Sequence, residues 1–277
     1  MNHSLPEPLA EQESVAETLA ETVHITRAAG DVIMAFYRSS FEVHDKKPDN
    51  PVTDADFAAD SLLKQRLLAL LPQAGWLSEE TVDNPQRLEK ELVWVVDPLD
   101  GTKEFVMGIP EFSVSVALVH NGAPLLGVIL NPASSELYTA VRGQGLRFNG
   151  DDGSVSDRAS LQGAVVDASR SEWKRGEFDP FKELVTVNVM GSIAYKLARV
   201  AAGQADASWS RGPKNEWDIC AGALLVQEAG GRCVDLNGDP FTFNRPNPKV
   251  NGIIADNGYL HQELMDALAP HGAARLK

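Results

Sequence analysis

The sequence predicts a mixed α+β fold, and three observations predict it. Across residues 13–38 the apolar positions Val15, Leu19, Val23, Ile33, Met34 and Tyr37 recur mostly at helical spacing, the pattern of one long amphipathic helix. Across residues 112–141 the pattern becomes three short apolar runs. The first two are separated by Asn121-Gly122, a dipeptide suited to the left-handed positions of a tight hairpin. Beyond residue 164, strand-like and helix-like segments alternate, with helices closed by Gly203 and by Gly230-Gly231. Strands mixed with helices, together with an antiparallel meander, belong to an α+β or mixed α/β architecture.

Each element has a local reason. The first helix is weakened only at Gly30. Phe41-Glu-Val-His44 alternates like a short strand, and a polar loop follows over residues 45–52. Thr53 or Asp54 caps a second helix that runs to about Leu71, where Pro72 stops it. Residues 92–97 form an apolar run that breaks into Pro-Leu-Asp-Gly-Thr, a buried strand ending in a turn. Residues 113–120, 123–130 and 136–141 make the meander. Gly143-Gln-Gly145 and Asn149-Gly150-Asp-Asp-Gly153 are the most linker-like stretch, which divides the chain into a domain over residues 1–155 and a second over residues 156–277. In the second, residues 164–168, 184–189, 205–209 and 253–255 and Cys233 read as strand, and residues 192–202, 217–229 and 259–268 as helix. No internal repeat or low-complexity tract occurs.

The 277 residues carry 25 Lys+Arg against 39 Asp+Glu, a formal net charge of −14. With 43% hydrophobic and 23% charged residues the composition is that of a folded protein with ample core. So negative a chain repels polyanions, and no long basic stretch offsets it, so a nucleic-acid polymer is excluded as a general partner. Two cysteines, Cys220 and Cys233, do not make a disulfide framework and suit a reduced setting. The acidic N-terminal segment lacks the basic region and apolar core of a signal peptide, and no apolar run is long enough to span a membrane. Together these features predict a soluble cytoplasmic protein.

The acidic residues gather at element junctions. Asp97-Pro-Leu-Asp100-Gly-Thr102 sets two carboxylates three residues apart in a turn stiffened by Pro98, with Gly101 permitting close backbone approach. Ser78-Glu79-Glu80 follows Trp76-Leu77, Asp54 and Asp56 open one helix, and Trp217-Asp218 opens another. Taken singly, the Asp97–Asp100 turn is as readily a solvated turn as a site, and each of the others reads first as a cap or a surface charge. Four such junctions with none of the six histidines among them disfavour zinc and favour Mg²⁺ or Mn²⁺, hard cations that take oxygen ligands.

Asp97-Pro-Leu-Asp-Gly-Thr102, the upstream Glu79-Glu80 and Trp217-Asp218-Ile-Cys-Ala-Gly222 resemble the three signatures of the inositol monophosphatase superfamily, which comprises Mg²⁺-dependent, lithium-sensitive phosphomonoesterases. The likeness extends from Asn50-Pro-Val-Thr-Asp-Ala-Asp56 through Glu228-Ala-Gly-Gly231. It implies a layered αβαβα sandwich and two or three Mg²⁺ ions, with Mn²⁺ able to substitute. It implies that Glu80, Asp97, Asp100 and Asp218 bind metal, that Leu99 lends its backbone carbonyl, and that Asp97 bridges two ions. Asp56 and Thr102 match the pair that orients and deprotonates the attacking water, with Asp56 as base and Glu79 placed beside them. Gly101 and Thr102 would offer N–H groups to the phosphate. Homodimers are common in the family. Neither a G-x-S-x-G elbow nor a Gly-rich loop ending in Gly-Lys-Ser/Thr occurs, which agrees with a water nucleophile.

Within the superfamily, Asp100-Gly-Thr-Lys-Glu-Phe105 and Gly212-Pro-Lys-Asn-Glu-Trp-Asp218 resemble bacterial 3′(2′),5′-bisphosphate nucleotidases. Gly191-Ser-Ile-Ala-Tyr-Lys196 resembles the segment that holds phosphate and sugar, which makes Gly191 and Ser192 substrate residues. Ser210 stands where inositol-specific members tend to carry an acid. A bisphosphate needs cations beyond the metals, for which Lys103, Lys196, Arg211 and Lys214 are candidates. The resulting expectation is hydrolysis of adenosine 3′,5′-bisphosphate to AMP and phosphate. Inositol 1-phosphate or histidinol phosphate as substrate is the rival. A non-catalytic nucleotide-binding protein is the alternative from another class.

Overall fold

Two helices, a large sheet, two more helices, a second sheet and a covering helix stack in that order. The computed structural model describes residues 12–38, 42–47 and 50–272. Helix α1 (Gln12–Phe36) buries Val15, Ile25, Ala29 and Ile33. Helix α2 (Asp54–Leu70) buries Ala55, Ala59, Leu63 and Leu67, a stripe at four-residue spacing, and Thr53 caps it. Strands β3 (Gly75–Ser78), β4 (Leu92–Asp100), β5 (Ser113–His120), β6 (Ala123–Asn131), β7 (Glu136–Val141), β8 (Leu146–Phe148) and β9 (Asp151–Gly153) form a seven-stranded sheet in sequence order. The pairing is antiparallel except between β3 and β4. Leu92, Trp94 and Val96 of β4 pack with α1 and α2, while Val93 and Val95 face the other way. Burial on both faces is why this strand reads as an unbroken apolar run.

Helices α5 (Ile193–Ala201) and α6 (Glu216–Glu228) fill the space behind that sheet. Against their far side lies a five-stranded sheet in the order β11 (Thr186–Met190), β10 (Val165–Ser169), β12 (Ala207–Asn215), β14 (Lys249–Asp256) and β13 (Arg232–Val234). Helix α7 (His261–Leu268) closes the outside through Leu264 and Leu268, which cluster with Phe178 and Trp209. The result is the layered αβαβα sandwich. Short helices α3 (Thr102–Val106) and α4 (Arg170–Lys174) follow β4 and β10. Cys220 and Cys233 are free and buried. Among the described residues no helix is long and apolar enough to cross a membrane.

Three segments depart from the sequence reading. The polar loop over residues 45–52 contributes to a two-stranded hairpin of β1 (Val43–Lys47) and β2 (Asn50–Thr53). The glycine-rich linker folds as β8 and β9, because ladder hydrogen bonds need no apolar alternation. Strand β12 continues past Trp209 to Asn215, and its register against β14 breaks between Ser210 and Pro213, where a proline with no N–H joins the strand.

Candidate active site

The parallel β3–β4 pairing sets Ser78 beside Val96, so the chain leaves β3 with Glu79 next to Asp97, and the Glu79 amide donates to the Val96 carbonyl at 3.3 Å. Asp60 fastens the turn that carries Glu79 and Glu80, accepting from the Ser78 hydroxyl at 2.5 Å and the Thr81 hydroxyl at 2.7 Å. Asp97 lies at the end of the regular β4 ladder. The register then breaks before Asp100, and the bulge turns the chain into Gly101. Gly101 has φ +99°, and a β-carbon there would come within 2.8 Å of the Glu111 carbonyl, so only glycine fits. Thr102 opens α3 with its hydroxyl 3.1 Å from Asp56 Oδ1 and 3.0 Å from the Leu99 carbonyl.

Two of the acids are also helix caps. Asp56 sits in a capping box with Thr53, its Oδ2 accepting from the Thr53 amide at 2.8 Å and hydroxyl at 2.6 Å. Asp218 does the same at the start of α6, its Oδ2 accepting from the Asn215 amide at 2.8 Å. In both, the cap spends Oδ2, so a cap and a site ligand are compatible roles for one carboxylate. Asp100 is held from across the cleft, its Oδ2 accepting from the Ser192 hydroxyl and the Ala194 amide, both at 2.6 Å. Ser192 adopts φ +53°, a conformation costly for serine, and caps α5 by accepting from the Tyr195 amide.

Carboxylate oxygens of Glu79, Asp97 and Asp218 lie within 4.8 Å of one another. Burial and the charges of Glu79, Asp100, Asp218 and Glu80 push Asp97 well above the ordinary carboxylate range. Burial together with Glu79 and Asp100 pushes Asp218 up to about 8. Burial raises Asp100 to about 6 against the hydrogen bonds from Ser192 and Ala194. Asp97 Oδ1 accepts from the Leu99 amide at 3.0 Å, but its Oδ2 is buried with no hydrogen-bond partner. Buried like charges with an orphaned oxygen and an all-oxygen donor set fit a divalent hard cation. Glu79 belongs to this group, and Glu80 stands outside it while still acting on Asp97. Asp56, beside the cluster, is also raised by burial.

A cleft of about 330 Å³ is lined by Glu79, Leu99, Asp100, Gly101, Thr102 and Asp218, and also by Lys103, Gly191, Ser192, Lys196 and Lys214. Most of the expected residues therefore meet. Arg211 does not. It lies on the Trp209 side of β12, donates to the His271 carbonyl at 3.0 Å, and lines a separate cavity near α7. Strand alternation is the reason: Ser210 turns inward to the Glu172 carboxylate, so its neighbour turns out. The Gly191 amide is also engaged, donating to Glu111 at 2.9 Å, so it lines the cleft without a spare N–H to offer. Sequence reasoning missed Asp60 and Glu172. Asp60 could have been found as the residue four past Asp56 on one helix face. Glu172 left no local signal.

The class is that of phosphatases acting on phosphomonoesters: the layered αβαβα sandwich carries a cation-ready carboxylate cluster at the ends of β3 and β4 and the start of α6, and the family match gives the activity. The chain belongs to the inositol monophosphatase family, whose model matches residues 13–273. It is 37% identical over 237 residues to an inositol-1-monophosphatase of Rhizobium meliloti, covering 83% of this chain and 86% of that one. It is 34% identical over 244 residues to the 3′(2′),5′-bisphosphate nucleotidase CysQ of Aggregatibacter actinomycetemcomitans, covering 84% and 90%. The crystal structure of the extragenic suppressor protein suhB from Bartonella henselae superposes with a TM-score of 0.81 at 33% identity, covering 90% of this chain and 97% of that one.

Proposed function

We propose that this phosphatase is a Mg²⁺-dependent 3′(2′),5′-bisphosphate nucleotidase that converts adenosine 3′,5′-bisphosphate to AMP and phosphate. The observation that carries the reading is the basic part of the cleft lining, where Lys103, Lys196 and Lys214 share one cavity with Glu79, Asp100 and Asp218. A monophosphate needs one anion seat, which the metal end supplies. A lysine pair beyond it, one member buried to 3% exposure, is a seat for a second phosphate. The similarity to a bisphosphate nucleotidase and the Gly-Pro-Lys-Asn-Glu-Trp-Asp segment support the same choice.

In this reading Asp97, Asp100, Asp218 and the Glu79-Glu80 pair hold Mg²⁺ with the Leu99 carbonyl, and Glu79 is the nearer of the two glutamates. Bound Mg²⁺ supplies charge neutralisation for the phosphate and acidifies water. Asp56 accepts the proton of the attacking water, a task suited to a carboxylate whose basicity burial has raised. Thr102, whose hydroxyl contacts Asp56, orients that water. Gly101 and Thr102 border the phosphate, and Ser192 steadies Asp100. Phosphate release from adenosine 3′,5′-bisphosphate, inositol 1-phosphate and histidinol phosphate, each with Mg²⁺, tests the proposal. The bisphosphate should give the highest kcat/KM, and a higher value on either rival overturns it.

A further inference from the structure

Glu172 has no part in the activity described so far, yet it stands directly behind the basic wall. It belongs to α4, the short helix that follows β10, and only 3% of its surface is exposed. Its carboxylate accepts from the Ser210 hydroxyl of β12 and lies 3.5 Å from Lys214 Nζ. Of the charged groups acting on the buried Lys196, Glu172 is the strongest. Both lysines line the cleft, and Glu172 is not among the lining residues.

A buried carboxylate is costly unless paired and hydrogen-bonded, so a chain that keeps one here gains something from it. Two ammonium groups on flexible four-carbon stems repel each other and lose rotamer freedom when fixed. Lys214 and Lys196 are close enough to oppose each other electrostatically. A carboxylate 3.5 Å from Lys214 Nζ that also acts on Lys196 offsets that repulsion and holds Lys214 in place, while the three charges together stay positive.

We infer that Glu172 is a positioning residue that holds Lys214 and Lys196 as a seat for the second phosphate, and so sets the selectivity for bisphosphate over monophosphate. The inference rests on the nucleotidase reading. It also explains Ser210: in place of an acid reaching a sugar hydroxyl, this position anchors an acid supplied by α4.

The test compares kcat/KM for adenosine 3′,5′-bisphosphate with that for adenosine 3′-monophosphate, which shares the scissile bond and lacks the second phosphate. Glu172→Gln keeps an acceptor for Ser210 and removes the charge that holds the lysines. The ratio of the two kcat/KM values should fall about tenfold through KM for the bisphosphate. Lys214→Met, at a part-exposed side chain, should lower the ratio similarly, and the double variant should lose less than the two single losses combined. A wild-type ratio in Lys214→Met, additive losses in the double variant, or equal losses on both substrates in Glu172→Gln each overturn the inference. A wild-type enzyme that does not prefer the bisphosphate instead removes the reading beneath it.

Discussion

The two walls of the cleft are built on different principles. The acidic wall is made of short-range devices: a strand end beside a parallel neighbour for Glu79 and Asp97, a bulge before Asp100, and an N-terminal capping box for each of Asp56 and Asp218. Local backbone amides fix the carboxylates of Asp56, Asp97 and Asp218, so their positions follow from the segments that carry them, while Asp100 is held by Ser192 and Ala194 at the start of α5. The basic wall is made of long side chains from the first turn of α5 and from the last residues of β12, steadied by a carboxylate from a third element. The first arrangement suits a cluster that must tolerate like charges until a cation arrives. The second suits recognition of one particular anion, since altering any one partner changes the seat without touching the chemistry.

If the walls divide the work in this way, the largest effect must come from the acidic side. Asp97→Asn should lower kcat by about 10³-fold or more, the scale of losing a central electrostatic stabiliser. The fold should survive, because the asparagine carbonyl still accepts from the Leu99 amide. The metal-free protein should melt a few degrees higher at alkaline pH, where Asp97 would otherwise ionise among Glu79, Asp100 and Asp218. Phosphate release and thermal melts with and without Mg²⁺ check this. Near-native turnover removes Asp97 from the centre of the site.

The next effect is on stability and carries a definite sign. Asp100 is raised to about 6 and Asp218 to about 8, both from 3.8. The folded metal-free protein therefore keeps protons that the unfolded chain releases. That contribution is fully present below the unfolded value and is lost as pH rises through 6 and then 8. Melts in EDTA should fall between pH 5 and pH 8, and stabilisation by Mg²⁺ should grow over the same interval. Asp218→Asn should flatten the EDTA profile. A wild-type profile that rises with pH contradicts the electrostatic account of this wall.

The same division explains what could be read from the sequence. Asp97-Pro-Leu-Asp-Gly-Thr102 and Asn215-Glu-Trp-Asp218 were legible because a turn or a capping box brings their side chains together within a few residues. The long helices and the meander were legible because burial imposes periods of 3.6 and 2 over many residues. β2, β8 and β9 were not, and β1 only at its start, since short strands held by ladder bonds leave little such period. The outward facing of Arg211 follows strand alternation from Ser210, but the sequence reading ended that strand at Trp209, before alternation could be applied to it. Glu172 meets Ser210 and Lys214 across 38 and 42 residues of chain, so its partners appear only once the sheet is assembled.

The smallest effect separates members of the basic wall from one another. Lys103 lines the cleft from α3 but is exposed, whereas Lys196 is buried to 3%. An exposed ammonium is screened by water and salt, and such a charge contributes on the order of 0–1 kcal/mol to a contact. Lys103→Ala should therefore raise KM for the bisphosphate by no more than about fivefold at low ionic strength, with kcat preserved. At about 0.5 M salt, where the Debye length has shrunk to a few ångströms, the difference from wild type should disappear. Lys196→Met should keep its larger KM defect in the same buffer, because a buried charge is screened much less. Initial rates at two salt concentrations decide the matter. A Lys103→Ala defect that exceeds that of Lys196→Met and persists in high salt would move the second phosphate toward the mouth of the cleft and away from the pair that Glu172 holds.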